Sequence, residues 1–144
     1  MKKQIFLTMM IFMFVVYNGF AQFNFSCANT SAFQKNVTPD LGIVIYSSDE
    51  ETAWNAFRLA TLSQSKGDTV VVFLLGKGID PFMKDSAKYD IKTLHTQFVA
   101  KGGQVIVCGT CAKQRGTDEV KMCTIASIVD LYEIVKRSKK VLTF

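Results

Sequence analysis

Four short apolar runs without a charged residue divide this chain and predict its β-strands. They are residues 42–46, 69–75, 104–108 and 141–144, and most of their side chains are aliphatic or aromatic. An unbroken apolar run of this length is typical of a strand buried on both faces, as the strands of parallel sheets are. The runs therefore predict a sheet that is covered on both sides.

Helical patterns lie between these runs. Ser48 and Glu51 have the spacing of a capping box that would start a helix, and Gly67 would end it. The predicted inner face of this helix consists of Trp54, Phe57, Thr61 and Leu62. A second helix is predicted before the third strand, from apolar residues at i, i+3, i+7 and i+8: Ile91, Leu94, Phe98 and Val99.

A last helix is predicted before the final strand, with Thr124 as its N-terminal cap. Its expected core-facing residues are Ile128, Val129, Tyr132 and Val135. Strands that alternate with helices indicate an α/β fold, with a mostly parallel sheet, helices on both faces and right-handed crossovers. We therefore expect a three-layer, flavodoxin-like architecture whose functional sites lie at the carboxyl ends of the strands.

The first 21 residues have the pattern of a secretory signal peptide. Two lysines precede an apolar stretch over residues 5–17, and Gly19 and Ala21 are the small residues expected before a cleavage site. The apolar stretch is shorter than the roughly 20 residues that a membrane-spanning helix needs. We predict cleavage before Gln22 and export to the periplasm or the medium. An uncleaved signal that anchors the protein in the membrane is the main alternative.

Residues 22–40 are predicted to form a polar lead-in segment, and residues 41–144 a single domain. The lead-in is rich in Asn, Ser, Thr and Gln and has no clear periodicity, which is typical of a partly disordered segment. The remaining residues suffice for one domain with its own core. The net charge of +5 is modest, and no aromatic residue interrupts the basic cluster at 136–140. We therefore expect no nucleic-acid partner.

Cys108 and Cys111 form a C-x-x-C motif where the third predicted strand ends and a helix is expected to begin. Backbone N–H groups and the positive end of a helix dipole favour the reactive thiolate at such a position. Lys113 and Arg115 follow the pair, and their charge would lower the thiol pKa if they face it. C-x-x-C spacing is typical of redox and metal chemistry, whereas a disulfide that closes so short a loop stabilises a fold weakly.

Other interpretations of the cysteines remain open at this point. The pair could form a structural disulfide or remain as two buried thiols. A zinc site would need two further ligands, for which the chain offers Cys27, Cys123 and a single histidine, His95. Cys123 could instead resolve a sulfur intermediate or pair with Cys27. His95 lies within a predicted helix and is interpreted as a packed or surface residue.

No cofactor or metal ion is expected. The Gly-Lys-Gly sequence at residues 76–78 lacks the rest of a phosphate-binding motif, so we interpret it as a plain turn. The chain also lacks a G-x-S-x-G nucleophile elbow and an H-E-x-x-H zinc motif.

Residues 41–144 resemble the DsrE/DsrF and TusD family of small sulfur-relay proteins. The strand–helix–strand unit over residues 42–75 looks like the opening unit of that family. The strand that ends at Cys108 and is followed by Arg115 and Gly116 resembles its sulfur-binding segment, and residues 140–144 resemble its final strand.

The resemblance implies a role for each residue of this segment. Cys108 corresponds to the cysteine that accepts sulfur as a persulfide, and Arg115 falls on a basic position of the same motif. Cys111 is implied either to resolve the persulfide or to form a redox disulfide with Cys108. The resemblance further implies assembly as a homo-oligomer, a trimer or hexamer.

These observations favour one functional hypothesis over two alternatives. The favoured function is that of an exported sulfur carrier, similar to a sulfurtransferase, whose partners are a donor or acceptor protein or a small sulfur compound. The best-known relatives act in the cytoplasm, so the predicted signal peptide leaves the pathway open. The alternatives are a thiol-disulfide redox protein that uses the same pair, and a non-catalytic oligomeric module. Both prolines of the chain precede Cys108 and Cys111. A thioredoxin-like site, which has a cis-proline after the cysteine pair, is therefore excluded.

Overall fold

The computed structural model describes residues 37–84, 86–117 and 124–144. The predicted signal peptide, most of the predicted lead-in, Cys27 and Cys123 lie outside these residues. Within the three described ranges, no helix has the length and apolar character needed to cross a membrane.

A five-stranded parallel sheet forms the centre of the described domain. Its strands lie in the order β4-β3-β2-β1-β5, and every neighbouring pair is parallel. The strands are β1 Leu41–Ile45, β2 Val70–Leu74, β3 Gln104–Cys108, β4 Thr124–Ala126 and β5 Lys140–Thr143. The α/β fold and the four strands expected from the apolar runs are thereby confirmed, and β4 is an additional strand.

In the described part of the chain, five α-helices connect these strands. They are α1 Glu50–Ser65, α2 Asp80–Met83, α3 Ile91–Ala100, α4 Gly109–Gln114 and α5 Ile128–Arg137. A 3₁₀ turn at Gly76–Ile79 leads from β2 into α2. The buried side chains separate into two clusters, and α1 and α3 contribute to one whereas α5 contributes to the other. The expected covering of both sheet faces is therefore confirmed.

The larger cluster lies between the sheet and helices α1 and α3. Alternate strand residues such as Ile43, Val72 and Val107 project into it, and Phe57 of α1 meets Phe98 of α3 edge to face at 6.0 Å between ring centroids. Burial of each such side chain contributes about 1.5–3 kcal/mol. Gly103 precedes β3 and lets the Phe98 ring pack directly against the backbone. A Cβ at this position would lie only 2.5 Å from that ring.

The start and inner face of α1 differ from the prediction. Asp49, not Ser48, caps the helix, since its Oδ1 accepts a hydrogen bond from the Thr52 N–H at 2.7 Å. The buried residues of α1 are Ala53, Ala56, Phe57 and Ala60, whereas Leu62 is exposed. Small alanines form the inner face because they let α1 lie close to the sheet.

Thr124 was expected to cap the last helix, but it is the first residue of β4. Ser127 is the cap, and its backbone N–H and hydroxyl both donate to Asp130 Oδ2 at 2.8 Å. A strand of three residues is too short to show an alternating or continuous apolar pattern. β4 lies at one edge of the described sheet, where β3 is its hydrogen-bonded neighbour. Pairing with β3, a tertiary contact, therefore decides its conformation.

The predicted inner face of α5 is wrong. Ile134 is fully buried against the sheet and Leu131 packs partly beside it, so these two residues form the inner face. The four apolar residues that were expected to be buried, Ile128, Val129, Tyr132 and Val135, are all exposed. Two apolar surfaces exist on one short helix, and its hydrophobic periodicity does not indicate which of them faces the sheet.

Asp40 joins the amino ends of three strands. Its carboxylate accepts hydrogen bonds from the Thr69 N–H before β2, at 2.8 Å, and from Lys139 Nζ before β5, at 2.6 Å. The backbone adds a bond from the Lys139 N–H to the Pro39 carbonyl. The Lys139 ammonium and the Thr69 N–H lower the pKa of the Asp40 carboxyl.

Replacing Asp40 with asparagine is expected to lower the urea midpoint of unfolding at pH 7. Because the folded-state pKa of Asp40 is lowered, its stabilisation is complete above the unfolded value of 3.8 and is lost as the pH falls through the folded value. The difference between Asp40→Asn and wild type should therefore shrink as the pH falls below 3.8. Urea titrations at pH 7 and pH 2.5, followed by circular dichroism, measure this.

Lys139→Gln supplies the control. If the two groups act as a pair, the double variant should be no less stable at pH 7 than Asp40→Asn alone. Additive losses would contradict the pairing.

Candidate functional site

Cys108 is positioned by two elements at once. It is the last residue of β3 and the residue that precedes the first turn of α4, with an extended backbone at φ −61° and ψ 109°. Its Cα is paired in register with Ala126 of β4. The neighbouring Gly109 allows α4 to begin against β4, because a Cβ there would lie 2.8 Å from Ile125 Cγ2. The thiol therefore lies at the carboxyl edge of the sheet.

Cys111 faces Cys108 from the first turn of α4. The Cys111 N–H points at Cys108 Sγ, with the nitrogen 3.4 Å away, and the two Sγ atoms are 2.6 Å apart. Both cysteines are free thiols. Since a disulfide has a sulfur–sulfur distance of about 2.05 Å, only a small approach separates this pair from a covalent bond.

Burial controls the ionisation of Cys108. Its side chain belongs to the cluster between the sheet and α5 and is 6% exposed. This burial raises the pKa of Cys108, and the hydrogen-bonded Cys111 thiol raises it further. The N–H groups of Cys111 and Thr110 act in the opposite direction but do not outweigh burial. The N–H groups at the strand-to-helix junction thus favour the thiolate as expected, but burial outweighs them and the net shift of the Cys108 pKa is upward.

Arg115 does not contact either sulfur atom through a described hydrogen bond. Its Nε donates to Asp80 Oδ1 at 2.6 Å, and its Nη1 donates to the Cys111 carbonyl at 3.1 Å. The guanidinium charge is thereby paired with a carboxylate, while the same side chain ties the α4 backbone to the start of α2. Lys113 is exposed on α4.

Asp80 was not predicted from the sequence. An aspartate before a proline at the start of a short helix is an ordinary helix-start signal, and nothing in its spacing indicates the partner 35 residues later. The preceding Gly-Lys-Gly turn positions it, because the turn packs against α4. A Cβ on Gly78 would lie 2.0 Å from the Ile45 carbonyl oxygen, so only glycine lets the turn approach β1.

His95 lies on the other side of the sheet from Cys108. It is fully buried in the packing of α3, with its ring 5.9 Å from Phe57 and 6.0 Å from Phe82. The interpretation of His95 as a packed residue agrees with this position. Among the residues that the structure describes, no three His, Cys, Asp or Glu side chains are grouped as a metal site would require.

The sequence model of the DsrE/DsrF-like family matches residues 40–144, which span the sheet, its helices and the cysteine pair. The chain belongs to the DsrE/DsrF-like family. The predicted family resemblance is thereby confirmed, and with it a place among proteins of the sulfur-relay type.

Two relatives share about a third of the aligned residues with this DsrE/DsrF-like protein. The uncharacterized protein MJ0989 of Methanocaldococcus jannaschii is 32% identical over 101 residues, which are 66% of this chain and 89% of the relative. The uncharacterized protein MK0008 of Methanopyrus kandleri is 30% identical over 101 residues, or 66% of this chain and 84% of the relative. These alignments support the family assignment.

A solved structure has the same fold. The conserved protein of unknown function BT1422 from Bacteroides thetaiotaomicron superposes with a TM-score of 0.61 and 18% sequence identity, over 79% of this chain and all of that chain. At this identity the likeness concerns the fold alone.

Replacing Asp80 with asparagine is expected to lower the pKa of Cys108. The variant removes the carboxylate that neutralises Arg115, so an uncompensated positive charge remains beside Cys111 and favours a thiolate in the pair. The rate of alkylation of Cys108 by iodoacetamide, measured by peptide mass spectrometry from pH 6 to 11, gives the pKa.

Asp40→Asn is the matched control for this measurement, since it breaks an ion pair at the amino edge of the same sheet. It should leave the alkylation profile of Cys108 unchanged. A profile for Asp80→Asn that coincides with wild type, or moves to higher pH, would contradict the electrostatic role of Asp80.

Proposed function

We propose that this DsrE/DsrF-like protein carries sulfane sulfur as a persulfide on Cys108 and delivers it to a thiol on a partner. The observation that carries the proposal is the pair of free thiols at the carboxyl edge of the sheet, with Sγ atoms 2.6 Å apart. Membership of a sulfur-relay-type family supports the same chemistry. The partners are a sulfur donor and a sulfur acceptor, either proteins or small sulfur compounds.

The loading step is a thiol exchange. The Cys108 thiolate attacks the outer sulfur of a donor R–S–SH, the donor sulfur–sulfur bond breaks, and R–S⁻ leaves and takes up a proton. The product is Cys108–S–SH, and no net oxidation or reduction occurs. Because burial raises the pKa of Cys108, loading by the free protein should become faster with rising pH until the thiol is ionised.

Cys111 determines which reaction consumes the persulfide on Cys108. An acceptor thiolate that attacks the outer sulfur receives it and regenerates the Cys108 thiol. If the Cys111 thiolate attacks the inner sulfur instead, HS⁻ leaves and a Cys108–Cys111 disulfide forms, which an external dithiol must then reduce. The 2.6 Å separation supports this second route, and it also favours the alternative function of a thiol-disulfide redox protein that never holds a persulfide.

The proposal includes export and self-association. The signal-peptide pattern of residues 1–21 supports action outside the cytoplasm. The family resemblance supports a homo-oligomer, which we propose as a trimer or hexamer.

Mass spectrometry of the purified protein tests the sulfur chemistry. After full reduction and exposure to polysulfide, a gain of one sulfur on the Cys108 peptide is expected. Cys108→Ser should reduce that gain at least tenfold, whereas Cys111→Ser should keep the sulfur and prolong its lifetime severalfold, because the resolving thiol is gone. Cys27→Ser and Cys123→Ser are the controls and should load like wild type.

Two outcomes would decide against the carrier function. A Cys108–Cys111 disulfide in wild type, together with no sulfur retained on Cys108 in Cys111→Ser, would favour the redox protein. Sulfur uptake by Cys108→Ser at the wild-type rate would overturn the role of Cys108.

A further inference from the structure

Cys108 and Cys111 are reached from solvent to different extents. Cys108 is 6% exposed and belongs to the cluster between the sheet and α5, together with Ile106, Ala126 and Ile134. Cys111 is only partly buried and packs at the margin of the clusters on both sides of the sheet. The two Sγ atoms are 2.6 Å apart, yet packed side chains enclose one residue and leave the other partly open.

This difference matters because thiol–disulfide exchange is directional. The attacking thiolate approaches one sulfur along the line of the sulfur–sulfur bond, from the side opposite the sulfur that leaves, and access decides which sulfur is attacked. In a disulfide between these residues, attack on Cys108 Sγ would require room for the incoming thiol within the packed cluster. Attack on Cys111 Sγ requires room only beside the first turn of α4, where Cys111 is partly exposed.

We infer that an external dithiol reduces the Cys108–Cys111 disulfide by attacking Cys111 Sγ, and that Cys108 Sγ is the sulfur that leaves. Cys111 is thereby the residue that forms a covalent bond with the reductant. The inference rests on the proposed function, in which this disulfide forms as HS⁻ leaves the persulfide. It adds the atom that the reducing partner contacts and the order in which the bonds change.

The bonds change in two steps. A thiolate of the dithiol bonds to Cys111 Sγ, the bond between the two cysteines breaks, and its electron pair goes to Cys108 Sγ, which takes up a proton. The second thiolate of the dithiol then attacks the dithiol sulfur of this mixed disulfide, and Cys111 leaves as a thiolate that is protonated in turn. The protein disulfide is reduced by two electrons, and the dithiol is oxidised to its own disulfide.

The ionisation of Cys108 opposes this order, but access outweighs it. A leaving thiol of higher pKa departs more slowly, and burial raises the pKa of Cys108. The N–H groups of Cys111 and Thr110 reduce this disadvantage, because both lower the pKa and the Cys111 N–H points at Cys108 Sγ. A raised pKa slows departure by degrees, whereas an enclosed sulfur is not attacked until its packing opens.

Sulfur loading is compatible with the same difference in access. In loading, Cys108 is the nucleophile, and a donor such as polysulfide has to bring only one terminal sulfur atom to it. In reduction, the attacked sulfur must admit a thiol that is attached to a larger molecule. Cys108 therefore accepts sulfur, although Cys111 is the residue that the reductant reaches.

Glutathione serves as the probe of the attacked sulfur. In a variant with Cys27→Ser and Cys123→Ser, diamide forms the Cys108–Cys111 disulfide, a brief reaction with glutathione is stopped with acid, and free thiols are blocked with N-ethylmaleimide. Fragmentation of the tryptic peptide over residues 102–113 in the mass spectrometer then locates the glutathione. At least ten times more glutathione is expected on Cys111 than on Cys108.

Two single-cysteine proteins separate access from ionisation. In the same background, Cys108→Ser leaves Cys111 and Cys111→Ser leaves Cys108. Their rates of reaction with glutathione disulfide are compared as the limits reached at high pH, where both thiols are ionised. Cys111 should react at least tenfold faster, and the difference should disappear in urea, which removes the packing around Cys108. Circular dichroism confirms that both proteins are folded before urea is added.

Four outcomes would overturn the inference: glutathione on Cys108, equal limiting rates in the two folded proteins, a rate difference that persists in urea, or no Cys108–Cys111 disulfide after diamide. Polysulfide loading of Cys108 in the background variant is measured separately. Loading together with glutathione on Cys108 refutes this inference alone. Glutathione on Cys111 without polysulfide loading refutes the persulfide function alone.

Discussion

The pairing of β3 with a strand on each side is the constraint on which the site depends. Hydrogen bonds to β2 and β4 hold the whole of β3, so Cys108 ends a strand that cannot shift without breaking the sheet. Because α4 starts at the next residue, Cys111 returns to the same edge one turn later. The proximity of the two thiols therefore follows from the backbone hydrogen bonds of the sheet and of α4.

The surroundings of Cys108 and Cys111 favour uncharged thiols. Cys108 is buried, which favours its protonated form, and the nearby guanidinium of Arg115 is matched by Asp80. A buried thiol protected from ionisation is slow to react with adventitious oxidants and electrophiles. Activation then requires a change in surroundings, such as a bound partner that turns the Arg115 guanidinium from Asp80 toward the sulfur atoms. In this proposal the partner controls when the sulfur atom reacts.

Sequence patterns predicted the parts of this molecule whose conformation is decided locally. The three central strands and α3 have long apolar signals, and Cys108 falls at a strand end for the same reason. Contacts between distant residues decided the rest. β4 exists because β3 pairs with it. Ile134, and not the other apolar residues of α5, is fully buried against the sheet. Arg115 binds Asp80, which lies 35 residues earlier in the sequence. The burial that raises the pKa of Cys108 depends on those same contacts, so only the opposing effect of the N–H groups could be predicted from the sequence.

The place of β5 beside β1 has a consequence for biosynthesis. The first strand of the domain has β2 on one side and the last four-residue strand of the chain on the other, so one side of it stays unpaired until residues 140–143 emerge from the ribosome. Contacts between the two ends of a chain form late, because the loop that joins them is long. Translation of the whole domain must therefore precede completion of the sheet. In the export that we propose, this delay lengthens the time in which an unfolded polypeptide can still be passed through a translocation channel.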